Sequence, residues 1–272
     1  MNIGIALWNI TAANYEVKIA RIKSMGFNSI SFLSSSFETD SGEKIAELIK
    51  KNNLSITFHL SFYGTNAVKL LEALDIRLKS IREFIEQNGL ESNLKCIGFD
   101  PAFDEDEKNE VININAERTI SALKFTLKVI PYGRMAVENW SIGGNISLFE
   151  KIKREVNKRL GMLLDIGHLH ISLTKKLVDR NDLAEYINSI PMDIVEVHVH
   201  DNGGELDSHL PLGRGNMDYQ KMFGEIKASG KTNTDTVFTL ELKPHLKNIS
   251  LTDSERMQEV INTRELTEKA FK

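Results

Sequence analysis

The sequence predicts an α/β fold, a single closed (β/α)8 barrel spanning residues 1–272 as one domain. Three observations predict it. Eight short apolar runs alternate with stretches of helical periodicity from one end to the other, the pattern of parallel strands joined by helical crossovers. No linker or low-complexity segment interrupts them, and 272 residues sit near the roughly 250 typical of one barrel. The competing architecture, an open doubly wound sheet, calls for a glycine-rich phosphate turn after the first strand. That position reads "LWNITAANY" and holds no glycine.

The predicted strands are 2–7, 28–33, 54–59, 94–99, 134–138, 161–165, 194–198 and 236–241. The first, "NIGIAL", lacks a basic segment before it and reads as a strand rather than a signal peptide. Between strands three and four, "NAVKLLEALDIRLKSIREFIEQNG" repeats apolar residues at helical spacing and stops at Gly89. "AERTISALKFTLKVI" reads likewise, as does "SERMQEVINTRELTEKAF" with Ser254 or Asp253 as its cap. In the seventh strand, "IVEVHVH", alternation puts Val195, Val197 and Val199 against the helices and Glu196, His198 and His200 inside. In the eighth, Phe238 and Leu240 face out while Thr239 and Glu241 face in.

The bulk numbers narrow the function. The chain is 41% hydrophobic with a net charge of −4 and a pI near 6.0. There is no broad basic field to favour nucleic acid or an anionic membrane. A single cysteine, Cys96, precludes a disulfide within the chain and suits a reducing compartment. No apolar run approaches the roughly 20 residues that span a bilayer. A soluble, cytoplasmic protein is expected.

The chemistry-bearing residues sort to one place. All seven histidines, His59, His168, His170, His198, His200, His209 and His245, fall at or just past the C-terminal end of a predicted strand. Glu138, Asp165 and Glu241 each close an apolar run, "RMAVE", "GMLLD" and "TVFTLE". Strand C-termini share one face of a barrel, where active sites are built. Two glutamates, an aspartate and a histidine converging there are costly without a counter-ion. A divalent metal supplies one; carboxylate and imidazole suit Zn, Mn, Fe or Co.

The set "VEN" at Glu138, "LLDIGH" at Asp165 and His168, "HVHD" at His198–Asp201, "DSHLPLGRG" at Asp207–Gly215 and "LEL" at Glu241 resembles the xylose isomerase-like TIM barrels. That superfamily joins sugar (phosphate) isomerases and epimerases with endonuclease IV-type phosphodiesterases, AP endonuclease family 2. The resemblance covers essentially the whole chain. It implies a metal on Glu138, Asp165, His198 and Glu241, with His198 preferred over His200 because it lies three residues before Asp201. It implies that Glu138 and Glu241 move a proton between neighbouring carbons of a metal-bound hydroxy-ketone, with His168 on a substrate oxygen. In the endonuclease-type pattern a second metal would use His168, Asp207 and His209. A third would use His59, Glu138 and a histidine after strand four, where this chain has Asp100. Homo-oligomers are common in the group.

The remaining residues favour a small substrate. "PAFDEDEKNE" brings Asp104, Glu105, Asp106 and Glu107 after strand four, a poor surface for a phosphate backbone. Trp8 and Trp140 suit the walls of a sugar pocket. His59, His200 and Arg214 are further candidate substrate contacts, Arg214 for a phosphate. Gly203, Gly204, Gly213 and Gly215 read as turn residues. The expectation is a metal-dependent isomerase or epimerase acting on a sugar, sugar phosphate or related polyol. The alternative is an endonuclease IV-like phosphodiesterase acting on abasic DNA or another phosphate ester. A third class is a barrel that binds a ligand without turnover.

Overall fold

The structure, a computed structural model, describes residues 1–7, 15–33, 42–60, 67–102, 115–139, 146–156, 159–180, 182–243 and 252–271. Its strands are β1 (Asn2–Ala6), β2 (Ser29–Leu33), β3 (Ser55–Leu60), β4 (Leu94–Phe99), β5 (Arg134–Glu138), β6 (Leu160–Asp165), β7 (Ile194–Val199) and β8 (Val237–Leu240). They pair in parallel in sequence order, and β8 returns to β1, closing the eight-stranded barrel. The fold is therefore the (β/α)8 barrel that the strand–helix alternation predicts.

The helices are α1 (Tyr15–Ser24), α2 (Gly42–Lys51), α3 (Ala67–Asn88), α4 (Ala116–Val129), α5 (Ile146–Glu155), α6 (Ile166–Thr174), α7 (Leu183–Ser189), α8 (Tyr219–Ala228) and α9 (Asp253–Phe271). The main core lies between strands and helices. Phe32 and Phe58 stack at 5.4 Å there, and Phe238 meets Phe271 of α9 at 4.6 Å. Helix α9 does begin where expected, but its cap is Thr252, not Asp253 or Ser254. Thr252 Oγ1 accepts from the Glu255 N–H, and the Glu255 carboxylate accepts from the Thr252 N–H, a capping box.

One orientation in β7 differs from strict alternation. The β6–β7 register shifts between Met162, opposite Ile194, and Leu163, opposite Glu196. Val195 is the extra residue of this bulge. It turns inward and packs with Cys96, Ala136 and Leu163 as a small apolar cluster inside the barrel. Val197 and Val199 join the outer core as expected. Glu196 also points inward, accepting hydrogen bonds from Thr57 and Thr239. No described helix is long and apolar enough to cross a membrane.

Candidate metal centre at the barrel mouth

The C-terminal ends of β3, β5, β6, β7 and β8 bring His59, Glu138, Asp165, His198 and Glu241 together, all buried. Asp165 does two jobs. Its side chain caps α6 by accepting the His168 N–H at 2.7 Å, and its other oxygen faces the cluster. That cap explains the D-x-x-H spacing, because the N-cap carboxylate binds the backbone of the residue three positions on. The His168 ring then stands beside Glu138, with Nδ1 2.7 Å from Oε1. Asn139 locks the two strand ends together. Its amide donates to the Asp165 carbonyl at 2.9 Å and its oxygen accepts the Asp165 N–H at 2.6 Å.

The four expected metal ligands close as overlapping triads rather than as one group. Ligand atoms of Asp165, His198 and Glu241 lie within 4.8 Å of one another, as do those of Glu138, Asp165 and His168, and those of His59, Glu138 and His198. His198 Nδ1 is 3.4 Å from Glu241 Oε2 and 3.8 Å from Asp165 Oδ2. Among the described residues, neither ring nitrogen of His198 has a hydrogen-bond partner, nor does Glu241 Oε1. Buried polar atoms normally find partners. Unbonded imidazole and carboxylate atoms converging on one point fit a divalent cation.

The second set is also assembled, with one addition. His168, Asp207 and His209 are joined by His200, and their ligand atoms again lie within 4.8 Å of one another. His209 takes a left-handed backbone, φ +47. Its Nδ1 donates to the Glu241 carbonyl at 2.6 Å, which turns Nε2 to Asp207 at 2.9 Å. The His200 and His209 rings stack at 3.9 Å, while His200 Nε2 contacts Asp165 Oδ1 at 2.9 Å.

The third set comes together as an ion pair. His59 Nε2 bonds Asp100 Oδ1 at 3.0 Å and lies 3.1 Å from Glu138 Oε2. Burial disfavours a charged His59, but Asp100 first, then Glu138 and Glu241, raise its pKa well above the ordinary value. Burial pushes the Asp100 carboxyl up to about 6, against the pull of His59. Elsewhere the imidazoles win over burial. His168 and His59 hold Glu138 well below the usual carboxylate range, His168 and His200 bring Asp165 to about 2, and His198 with His59 brings Glu241 to about 2.

Other expected residues are placed differently. The Arg214 guanidinium, expected on a substrate phosphate, instead pairs with Glu259 of α9 at 2.5 Å on the surface. His170 sits on α6 and contacts Asn216 at 2.7 Å. Trp8, Trp140, His245 and the acidic run 104–107 lie outside the described residues. The sequence reading missed several supports. Asp201 ties down the loop beyond β7 by accepting backbone N–H groups of Asn202, Gly213, Gly215 and Met217. A side chain on Gly215 would collide with Asp201 and the Asn202 carbonyl. Lys243 reaches the Asp207 carbonyl at 2.6 Å.

Fold and site thus define a (β/α)8 barrel with a buried histidine–carboxylate cluster at the C-terminal ends of its strands. The family model for the xylose isomerase-like TIM barrel matches residues 19–262, and the chain belongs to that family. It is 24% identical over 208 residues to the uncharacterized protein MJ1311 of Methanocaldococcus jannaschii, covering 73% of this chain and 68% of that protein. Among solved structures it is similar to a D-tagatose 3-epimerase-like protein, with TM-score 0.71, 20% identity and 99% of each chain covered. It is also similar to an L-ribulose 3-epimerase, with TM-score 0.72, 14% identity, and 100% of this chain and 95% of the other covered. A 3-keto-D-glucoside 4-epimerase, YcjR, from E. coli matches with TM-score 0.70 and 15% identity, over 97% of this chain and 99% of the other. At these identities the structural likeness is one of fold.

Proposed function

We infer that this chain is a metal-dependent isomerase or epimerase acting on a sugar, sugar phosphate or related polyol. The observation that carries the reading is His198, fully buried with both ring nitrogens unbonded among the described residues, facing Asp165 and Glu241 with Glu138 alongside. Glu138, Asp165, His198 and Glu241 would hold the ion. When bound, a divalent cation would supply the positive charge that stabilises a substrate oxygen as it becomes anionic. Zn, Mn, Fe and Co all suit this donor set.

The chain's own residues supply the proton chemistry. A carboxylate base must be ionised before it can accept a proton, and Glu138 and Glu241 are both held below the usual carboxylate range. One takes the proton from the substrate carbon; returned by that same carboxyl to the neighbouring carbon it would complete an isomerisation, whereas an epimerisation would require the opposite glutamate to have first taken a proton from water and to deliver it to the other face of the same carbon. His168, whose pKa Asp165, Asp207 and Glu138 raise against the effect of burial, donates a hydrogen bond to a substrate oxygen. The sugar epimerases of the same fold support this reading.

Solvent-deuterium exchange at the substrate carbon tests it, with a panel of ketoses and ketose phosphates and added Zn or Mn. Exchange should occur in the wild type and vanish in Glu138→Gln and in Glu241→Gln. Unchanged exchange in both variants would remove the proton-transfer roles. A second reading, the phosphodiesterase, is kept by the His168, His200, Asp207 and His209 set. It requires cleavage of an abasic oligonucleotide that disappears in His209→Ala.

A further inference from the structure

At the end of the barrel opposite the mouth, a cavity of about 520 Å³ opens between the last turn of α5, the segments that lead into β7 and β8, and the first residues of β5 and β6. Its floor is apolar, made by the buried side chains of Val156, Leu160 and Met192. Its rim is cationic, with Arg134, Lys153 and Lys231. Lys153 belongs to the basic run "KIKREVNKR", residues 151–159. Asp193 is the one carboxylate among the described residues of the lining. We propose that this cavity binds a small organic phosphate, with its phosphoryl oxygens between Lys153 and Lys231 and its apolar body over Val156, Leu160 and Met192. The site is independent of the metal reading.

Neighbouring carbonyls hold the two lysines together. Lys231 Nζ donates to the Ile190 carbonyl at 2.7 Å, and Lys153 Nζ donates to the carbonyl of the next residue, Pro191. These carbonyls follow the last residue of α7, Ser189. Capping accounts for one lysine at such a helix end, whereas two bring like charges side by side. Burial first, and then Lys153, hold the Lys231 ammonium below the ordinary lysine pKa, a cost that an anion between the two would remove. Each ammonium keeps N–H donors beyond the one spent on a carbonyl. Arg134 answers Asp193 at 3.2 Å, so that pair is neutral. Among the described residues no carboxylate forms an ion pair with Lys153 or Lys231, on a chain whose net charge is −4. The carbonyl ends of α5, α7 and α8 face the same end of the barrel and oppose an anion. Their field falls off within a turn, and direct charge-assisted hydrogen bonds from two ammonium groups outweigh it.

Titration of the full-length chain with phenyl phosphate and with inorganic phosphate, at low ionic strength and followed by backbone amide shifts, tests the site. Saturable shifts are expected at Met192, Asp193, Gly230 and Lys231. Phenyl phosphate should bind at least about threefold tighter than inorganic phosphate, because its ring covers the apolar floor. Lys153→Gln and Lys231→Gln should each raise its Kd about tenfold, since each loses a charge-assisted hydrogen bond. Lys44→Gln is the control, its lysine being exposed and paired with Glu16; it should leave the Kd unchanged. Shifts confined to the barrel mouth, or shifts that never saturate, overturn the assignment. So does an equal Kd for the two probes, an unchanged Kd in both lysine variants of the cavity, or an equal loss in Lys44→Gln. The wild-type shifts decide the matter even where a variant fails to fold.

Discussion

The His200 ring lies over Gly167 so closely that a β-carbon at residue 167 would overlap it. The same ring bonds the Asp165 carboxylate through Nε2. Asp165, Gly167 and His200 are thus interlocked, with the helix start of α6 shaped around a side chain from the end of β7. Gly167→Ala has two opposed effects. Alanine's helix preference is worth about 1 kcal/mol, while overpacking a filled site costs about 1–3 kcal/mol. The second wins, because the ring cannot retreat without leaving Asp165. A net loss of about 1 kcal/mol is expected in urea denaturation, with a metal Kd at least about tenfold weaker as Asp165 loses its orienting partner.

Asp201 makes a different prediction, since it stands next to His200 yet serves the backbone. It accepts from four N–H groups spread over residues 202–217. The Leu210 N–H also bonds the Asp201 carbonyl, next to His209. Asp201→Ala leaves those donors without their acceptor, a cost of about 3 kcal/mol when hydrogen bonds to a charged group are lost in a buried setting. Amide hydrogen exchange should quicken at Gly213, Gly215 and Met217 before it does so in β7. Uniform quickening across the barrel would contradict a local role.

The cluster was readable from the sequence wherever strand position alone decides direction. Glu138, Asp165 and Glu241 close apolar runs, and closure of the barrel brings such ends to one rim. His168 was readable as a histidine just past the sixth strand, but the cap by which Asp165 fixes its place on α6 was not. Val195 did not follow, because a bulge depends on the register of the neighbouring strand, which alternation within one strand does not report. Glu196 was visibly inward, but its place beneath His198 and between Thr57 and Thr239 needs three strands in register. The Arg214–Glu259 pair joins residues 45 apart in sequence, and nothing in "LGRG" announces it.

Cys96 offers a pH test away from the mouth. Burial first, then the nearby Glu196 carboxylate, push its thiol well above the ordinary value. The unfolded thiol titrates near about 8.5. Stability from this group is therefore full below that pH and is lost as pH rises from there through the higher folded pKa. Cys96→Ser should flatten the stability–pH profile between about pH 8.5 and 10, the interval between unfolded thiol and phenol titration. Native protein at pH 8 should also leave the thiol unmodified by a disulfide reagent, with rapid reaction in urea. Prompt labelling of the native chain would contradict the burial of Cys96.

Metal addition and removal bear on every reading of the mouth. An ion that binds only the folded chain stabilises it by about 2.7 kcal/mol at a hundredfold excess over Kd, so the melting temperature should rise with Zn or Mn and fall back with a chelator. The rise should be lost in Glu241→Ala, because Glu241 contributes to the Asp165–His198 triad. Stoichiometry then separates the two chemistries. One tight equivalent per chain, kept in His209→Ala, is expected for the isomerase or epimerase. Two or three equivalents with one lost in His209→Ala would instead place an ion on His168, Asp207 and His209 and favour phosphate chemistry. Glu241→Ala tests the shared site, and His209→Ala tests only the additional one. A chain whose melting temperature responds to neither metal would leave the buried carboxylates balanced by histidine protons alone and remove the basis of both chemistries.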